Sequence, residues 1–296
     1  MTRETVAFAK MHGLGNDFVV VDARDPLPAS ATTDPGALAR QICNRHYGVG
    51  ADGLIWMLPS SRADVRMRIF NSDGSEAEMC GNGIRCLAAF AHARGAVTGR
   101  VMSVETGAGI LSPTLLDDGR VEVDMGEPVL PCAQIPAVIP GVGETERVID
   151  ARLVVDDEAY TVCGVSIGNP HCILFLDVQG TTRLAGCDLS AVPLERVGPR
   201  IERCAAFPAG TNVEFAVVSG RDEIDLRVWE RGSGITLACG TGACATMVAA
   251  ALSGRVGHRA RVNLPGGTLE IEWRPGSSVK MRGPQVWVYD GVWPAA

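Results

Sequence analysis

The chain has 296 residues, a net charge of −7 and a pI near 5.3, with 46% hydrophobic and 21% charged residues. This length fits two domains of ordinary size with ample apolar core. The acidic balance and the lack of any Lys/Arg-rich run exclude nucleic acid as the principal partner. No apolar stretch approaches a membrane span, and the N-terminal segment lacks the long apolar region of a signal peptide. A cytoplasmic location is therefore expected, with the ten cysteines kept reduced.

Alternation and β-branched content predict strands over Thr5–Met11 and Phe18–Asp22, around a Gly13-Leu14-Gly15-Asn16 turn. Asp34 or Thr33 caps a predicted helix running to about Asn44, with Pro35 at its first position. Strands are expected at Leu54–Leu58 and Asp64–Asn71, and a helix from Asn82 to about Arg94, stopped by Gly95. Further strands are expected near Arg100–Glu105, Gly109–Leu115 and Val121–Met125. Pro128, Pro131, Pro136 and Pro140 then break regular structure, and the domain crossing is placed there. The second half has predicted strands near Leu153–Asp156, Thr161–Ile167, Cys172–Leu176, Asn212–Val218 and Glu223–Glu230. It also has a helix near Leu194–Cys204 and a second Gly-terminated helix ending at Ser253. A last strand, Val286–Val292, is expected to cross back and complete the first sheet.

Two segments repeat one another. Met79-Cys80-Gly81-Asn82-Gly83 and Ala238-Cys239-Gly240-Thr241-Gly242 each place a cysteine at a Gly-x-Gly turn that opens a helix. The same offset aligns Val65–Phe70 with Ile224–Trp229, Asn71 with Glu230, and Gly107 with Gly266. Agreement of strand, loop, turn and helix in one order implies an ancestral unit used twice. The predicted class is α+β. Two pseudo-symmetric homologous domains each wrap a curved, mainly antiparallel sheet around a central helix, with the active site in the cleft between them. The predicted boundaries are 1–127 plus 284–296 for the first domain and 128–283 for the second.

A helix N-terminus presents unsatisfied N–H groups and a partial positive charge, which favours a thiolate and can receive a carboxylate. A lone cysteine at such a position is more often an inert packing residue. The symmetric pair reverses that preference, because a thiolate on one face of a carbon and a thiol on the other can invert it. Backbone N–H groups at Gly81, Asn82, Gly240 and Thr241 are placed to hold a carboxylate as charge spreads onto it. Pyridoxal phosphate would need a lysine beside a phosphate loop, and neither Lys10 nor Lys280 has one. No Cys-x-x-Cys or zinc-type spacing occurs, so neither cofactor nor metal is expected. Cys43, Cys132, Cys163, Cys187 and Cys204 read as small buried or half-buried residues.

The chain resembles the diaminopimelate epimerase family of pyridoxal-phosphate-independent enzymes. The resemblance rests on His12-Gly13-Leu14-Gly15-Asn16-Asp17-Phe18, Asn71-Ser72-Asp73-Gly74-Ser75, Met79 to Cys86, Gly168-Asn169-Pro170-His171, Gly210-Thr211-Asn212, and Glu230-Arg231-Gly232 running to Gly242. It implies interconversion of LL- and meso-2,6-diaminopimelate in lysine and peptidoglycan precursor synthesis, by a homodimer without a cofactor. It implies Cys80 and Cys239 as the acid/base pair. Substrate contacts are implied at Asn16, Asn71, Asn82, Asn169, Asn212, Glu230 and Arg231, with the backbone at Gly81, Gly240 and Thr241. His171, with Glu230, is implied as an auxiliary group. Gly53 departs from the pattern, since some members place a substrate-contacting glutamine there. Arg231 suits a bidentate grip on the distal carboxylate, Glu230 offsets an ammonium, and the asparagines suit a zwitterion.

Two other readings compete. Proline and hydroxyproline racemases of the same superfamily resemble the cysteine motifs, but carry histidine where this chain has Asn82. A cysteine-pair redox switch would form a disulfide and turn over no amino acid.

Overall fold

The computed structural model describes residues 5–176, 184 and 186–294. Two compact units divide the chain: Met1–Asp124 with Arg282–Ala296, and Met125–Met281.

In the first unit, β1 (Thr5–Gly13) and β2 (Asn16–Asp22) form a hairpin, followed by α1 (Ala29–Thr32), α2 (Pro35–Ile42), β3 (Gly53–Leu58), β4 (Val65–Asn71) and β5 (Glu76–Ala77). Then come α3 (Gly81–Ala93), β6 (Val104–Thr106), β7 (Gly109–Leu111), β8 (Thr114–Leu115) and β9 (Val121–Asp124). The second unit holds β10 (Ala151–Val155), β11 (Glu158–Ser166), β12 (Pro170–Phe175), α4 (Leu194–Glu202), β13 (Asn212–Gly220) and β14 (Glu223–Glu230). It continues through β15 (Gly234–Ile235), α5 (Gly240–Leu252), β16 (Arg259–Leu264) and β17 (Gly267–Glu272), and β18 (Lys280–Gly283) begins in it and ends in the first. The last strand, β19 (Val286–Pro294), pairs antiparallel with β1, as the sequence predicts.

The repeat is complete at the level of topology. The order β1-β2-β3-β4-β6-β7 runs antiparallel, parallel, antiparallel, parallel, antiparallel, and β11-β12-β13-β14-β16-β17 runs through the same steps. A short strand pairs with the fourth member of each series, β5 on β4 and β15 on β14, just before the cysteine helix. The parallel β2-to-β3 and β12-to-β13 steps need long crossovers, and these carry α2 and α4.

Each sheet is covered on both faces. Val19, Val21, Leu54, Trp56 and Phe70 pack with Leu38, Ala39 and Ile42 of α2. The alternate residues Ile55 and Ile69 face α3, their Cδ1 atoms within 3.1 and 3.3 Å of a Cβ built on Gly83. That double cover explains why β2 and β3 are nearly continuous apolar runs. Residues Ala243 to Ala250 of α5 are all buried, the all-round apolar pattern of a central helix. On α3, Phe90 stacks on Trp287 of β19 with ring centroids 5.5 Å apart.

Several predicted boundaries move for local reasons. Asp34, not Thr33, caps α2, accepting from the Ala37 N–H at 2.9 Å, and the helix stops at Ile42 rather than Asn44. The predicted Gly109–Leu115 strand is two short strands, because Pro113 between them has no N–H to offer a ladder. Of the predicted Arg100–Glu105 strand only Val104 and Glu105 are regular, as the start of β6, with a lone bridge at Val101. Beyond the prediction, β10 and β11 form a tight hairpin over Asp156 and Asp157, both at positive φ (47° and 66°), as a primed two-residue turn requires.

Beside the β1–β2 turn, Asp17 binds Lys10 and Arg45, and its side chain is 15% exposed. Burial pushes its carboxyl up, but hydrogen bonds from Arg45 and Lys10 outweigh this and bring it down to about 2. A depressed carboxyl stabilises the fold above its unfolded value and loses that contribution as pH falls through the folded value. Asp17→Asn is expected to cost about 2 kcal/mol near neutrality. Denaturant titrations should show that difference shrinking as the pH falls from about 4 towards about 2.

Candidate active site

Cys80 and Cys239 are both helix N-cap residues with extended backbone, at φ −141° and −111°. Each sulfur accepts the N–H three residues on: Gly83 N–H to Cys80 at 3.5 Å, and Gly242 N–H to Cys239 at 3.3 Å. The fold thus seats both thiols at the positive ends of the central helices. All ten cysteines are free thiols. Burial pushes Cys43, Cys86 and Cys163 up to about 12, and Cys172 well above its ordinary value, which makes these four inert. Cys187 and Cys204 are half-buried.

The surroundings of the two sulfurs differ. Cys80 is half-exposed and its thiol donates to Asn16 Oδ1 at 3.7 Å. Asn82 Nδ2 donates to the same oxygen at 3.1 Å, and Arg85 Nη2 donates to Asn82 Oδ1 at 2.9 Å. Cys239 is buried, with Thr241 Oγ1 at 3.5 Å. Burial, then the carboxyls of Glu230 and Glu214, push its thiol well above the ordinary range and outweigh the helix end. Glu230 is itself raised by burial, while hydrogen bonds from Thr236 and Cys239 pull the other way.

The other sequence-predicted residues fall into local groups. Asn169 Oδ1 lies 2.9 Å from His171 Nε2. Asn212 donates from Nδ2 to the Pro170 carbonyl at 2.9 Å, and its Oδ1 accepts the Arg231 N–H at 2.9 Å, locking the strand ends together. The Arg231 guanidinium donates to the Ala209 carbonyl at 2.9 Å, and the residue is exposed. Asn71 binds Ser75 Oγ at 2.9 Å at the end of β4. Gly53 sits opposite Asn71, where a Cβ would meet the Phe70 carbonyl oxygen at 2.8 Å. No side chain fits there without backbone movement.

Glu214 is the residue that motif reasoning missed. It is fully buried, with Oε1 2.7 Å from His171 Nδ1 and, among the described residues, no hydrogen-bond partner for Oε2. Burial raises its carboxyl, partly offset by His171. The sequence signal was a lone acid inside the apolar run Asn212-Val213-Glu214-Phe215-Ala216-Val217, where a buried charge demands a partner. The repeat makes the substitution plain. His171 pairs with Asn212 in register as Phe18 pairs with Gly53, and Glu214 lies under Gly242 as Ile55 lies under Gly83. A polar His–Glu pair in the second unit thus replaces a Phe–Ile pair in the first.

The family model described as diaminopimelate epimerase matches residues 8–131 and 163–288. The chain belongs to the diaminopimelate epimerase family. It is 50% identical over 287 residues to the diaminopimelate epimerase of Desulfitobacterium hafniense, covering 96% of each chain. It is 49% identical to that of Heliobacterium modesticaldum, covering 97% of this chain and 99% of the relative. Among solved structures it resembles a hydroxyproline epimerase from Agrobacterium vitis, with a TM-score of 0.68 at 16% identity over 99% of this chain and 93% of that one. It also resembles a methylitaconate-delta-isomerase, with a TM-score of 0.65 at 16% identity over 99% and 97%. These structural likenesses show a shared α+β fold.

A Cβ on Gly242 would lie 2.7 Å from Glu214 Oε1 and 3.2 Å from Cys239 Sγ, whereas one on Gly83 would meet only the movable Ile55 and Ile69 methyls at 3.1 Å or more and Cys80 Cβ at 3.4 Å. Gly242→Ala is expected to cost about 1–3 kcal/mol through overpacking and to displace Cys239. Thermal melts and activity should both fall, and Gly83→Ala should be the milder change by both measures.

Proposed function

We propose that this isomerase interconverts LL- and meso-2,6-diaminopimelate, with Cys80 and Cys239 carrying the proton to and from one α-carbon. The observation carrying this reading is the pair of cysteine N-caps, each accepting its helix's third N–H, in a chain half identical over almost its whole length to curated diaminopimelate epimerases.

The chemistry follows from the groups present. One sulfur, as thiolate, removes the α-proton, and the other, as thiol, returns a proton to the opposite face. The electron pair left on carbon delocalises into the adjacent carboxylate, and the first-turn N–H groups at Gly81, Asn82, Gly240 and Thr241 are the donors proposed to hold it. Cys239, held well above its ordinary value by burial and by Glu230 and Glu214, suits the proton-donating role in the unliganded protein. A substrate ammonium beside Glu230 would offset that negative charge and make the thiolate accessible. Asn16, Asn71, Asn82, Asn169 and Asn212 are proposed to bind the zwitterion, Arg231 the distal carboxylate, and His171 to assist beside Asn169.

No described helix is long and apolar enough to cross a membrane. A cytoplasmic homodimer acting in lysine and peptidoglycan precursor synthesis completes the proposal.

Cys80→Ala and Cys239→Ala should each lower epimerisation by about 10²- to 10⁴-fold, since each removes one proton carrier. Solvent deuterium should enter the α-carbon of diaminopimelate with the fully reduced wild-type protein and no added cofactor. Absence of exchange would remove the epimerase reading in favour of a redox switch. Turnover of proline or hydroxyproline in preference to diaminopimelate would favour the racemase alternative. The kcat/KM profile should be bell-shaped and report the coupled pair.

A further inference from the structure

Four side chains form a hydrogen-bonded chain beside Cys80 whose direction is set by its ends. Arg85 is fully buried in α3 and has only donors: Nη1 to the Gly81 carbonyl at 3.0 Å, Nε to the Pro284 carbonyl at 3.2 Å, and Nη2 to Asn82 Oδ1 at 2.9 Å. Because an arginine must donate, the Asn82 atom facing it is the oxygen, and Asn82 Nδ2 points to Asn16, 3.1 Å away. Asn16 answers with Oδ1, which turns its Nδ2 to Asp52 Oδ2 at 2.8 Å. That carboxylate only accepts. It is held in turn by the Asp17 N–H at 3.1 Å and by Arg45 Nη2 at 2.7 Å.

We infer that Asp52 and Arg85 are positioning residues for the proposed reaction: together they fix the polarity of the Asn82–Asn16 amide pair, so that Asn16 keeps its carbonyl oxygen, never its NH2, towards the Cys80 sulfur. An amide alone could present either end. Here a cation-bearing donor at one end and an anion at the other leave one arrangement in which every group is satisfied. A carbonyl 3.7 Å from Sγ accepts from the thiol and disfavours the thiolate. The device thus holds a proton on Cys80 until substrate rearranges the contact. In the second unit, Cys244 and Thr241 occupy the places of Arg85 and Asn82, so this polar chain belongs to the Cys80 helix alone.

The inference rests on the epimerase reading for its catalytic meaning, but its test needs no substrate. The pH dependence of Cys80 alkylation by iodoacetamide, read by peptide mass spectrometry, follows the thiol directly. The charged groups joined to this hydrogen-bonded chain are Asp52 and, through it, Arg45, Asp17 and Lys10 on the hairpin side, and Arg85 on the helix. Asp52→Ala removes the acceptor and the charge, whereas Asp52→Asn removes the charge but keeps an oxygen for Asn16 Nδ2. Asp52 is a partly exposed loop residue, and thermal melts would verify that both variants fold. Asp52→Ala should move the Cys80 midpoint down by about half to one pH unit, the loss of one hydrogen bond, and Asp52→Asn should restore it close to wild type. Equal shifts in the two variants would mean that charge alone acts, and no shift in either would mean that Asn16 is not held by Asp52. Either result overturns the inference, while loss of deuterium exchange in the wild type would instead overturn the epimerase reading.

Discussion

The contact on which the site depends is the sulfur-to-backbone hydrogen bond that makes a cysteine the N-cap of each central helix. A helix start leaves N–H groups without intrahelical partners, and a capping side chain must satisfy one of them. Serine or aspartate usually does this. Here a thiol does, so the group that completes the helix is also the group proposed to move the proton. At Gly242 the capping sulfur and Glu214 leave little room for a Cβ, whereas at Gly83 the neighbours are the Ile55 and Ile69 methyls and the Cys80 Cβ. Strand order, crossover helices and the short β5 and β15 strands serve to deliver that one geometry twice.

Two copies of a unit give two equivalent caps, yet the environments have been made unequal. Around Cys80 the polar groups are amides, held between Arg85 and Asp52. Around Cys239 they are carboxyls, with Glu230 and Glu214 close enough to add to the burial that raises the thiol. Burial and negative charge raise the Cys239 thiol, while at Cys80 an oriented amide oxygen is inferred to hold the proton. The buried His171–Glu214 pair, standing where the first unit has Phe18 and Ile55, is a further departure from the repeat.

Much of the fold was legible because its signals are local. Alternation in Val65–Phe70 and Ile224–Trp229, and the return of Val286–Val292 to the first sheet, were readable from pattern and repeat and agree with β4, β14 and β19. The boundaries that failed did so where a single residue overrode a pattern, as Pro113 did in splitting one predicted strand. The strands Arg259–Leu264 and Lys280–Gly283 were not singled out, their short apolar content being interleaved with Arg and Lys. Glu214 escaped because no motif marks it. Its importance lies in burial, which a sequence shows only indirectly as an acid within an apolar strand.

By itself the sequence determined the architecture, the doubling of the cysteine–glycine–helix motif and the family. These depend on hydrophobic period, capping chemistry and residues close together along the chain. Tertiary structure alone decided what each thiol faces. The direction of the Arg85–Asn82–Asn16–Asp52 chain, the closure of His171 onto Glu214, and the lack of room for a side chain at Gly53 depend on strands and helices brought together from distant positions. An asparagine in a sequence is equally a donor and an acceptor; only its packed neighbours determine which end it presents.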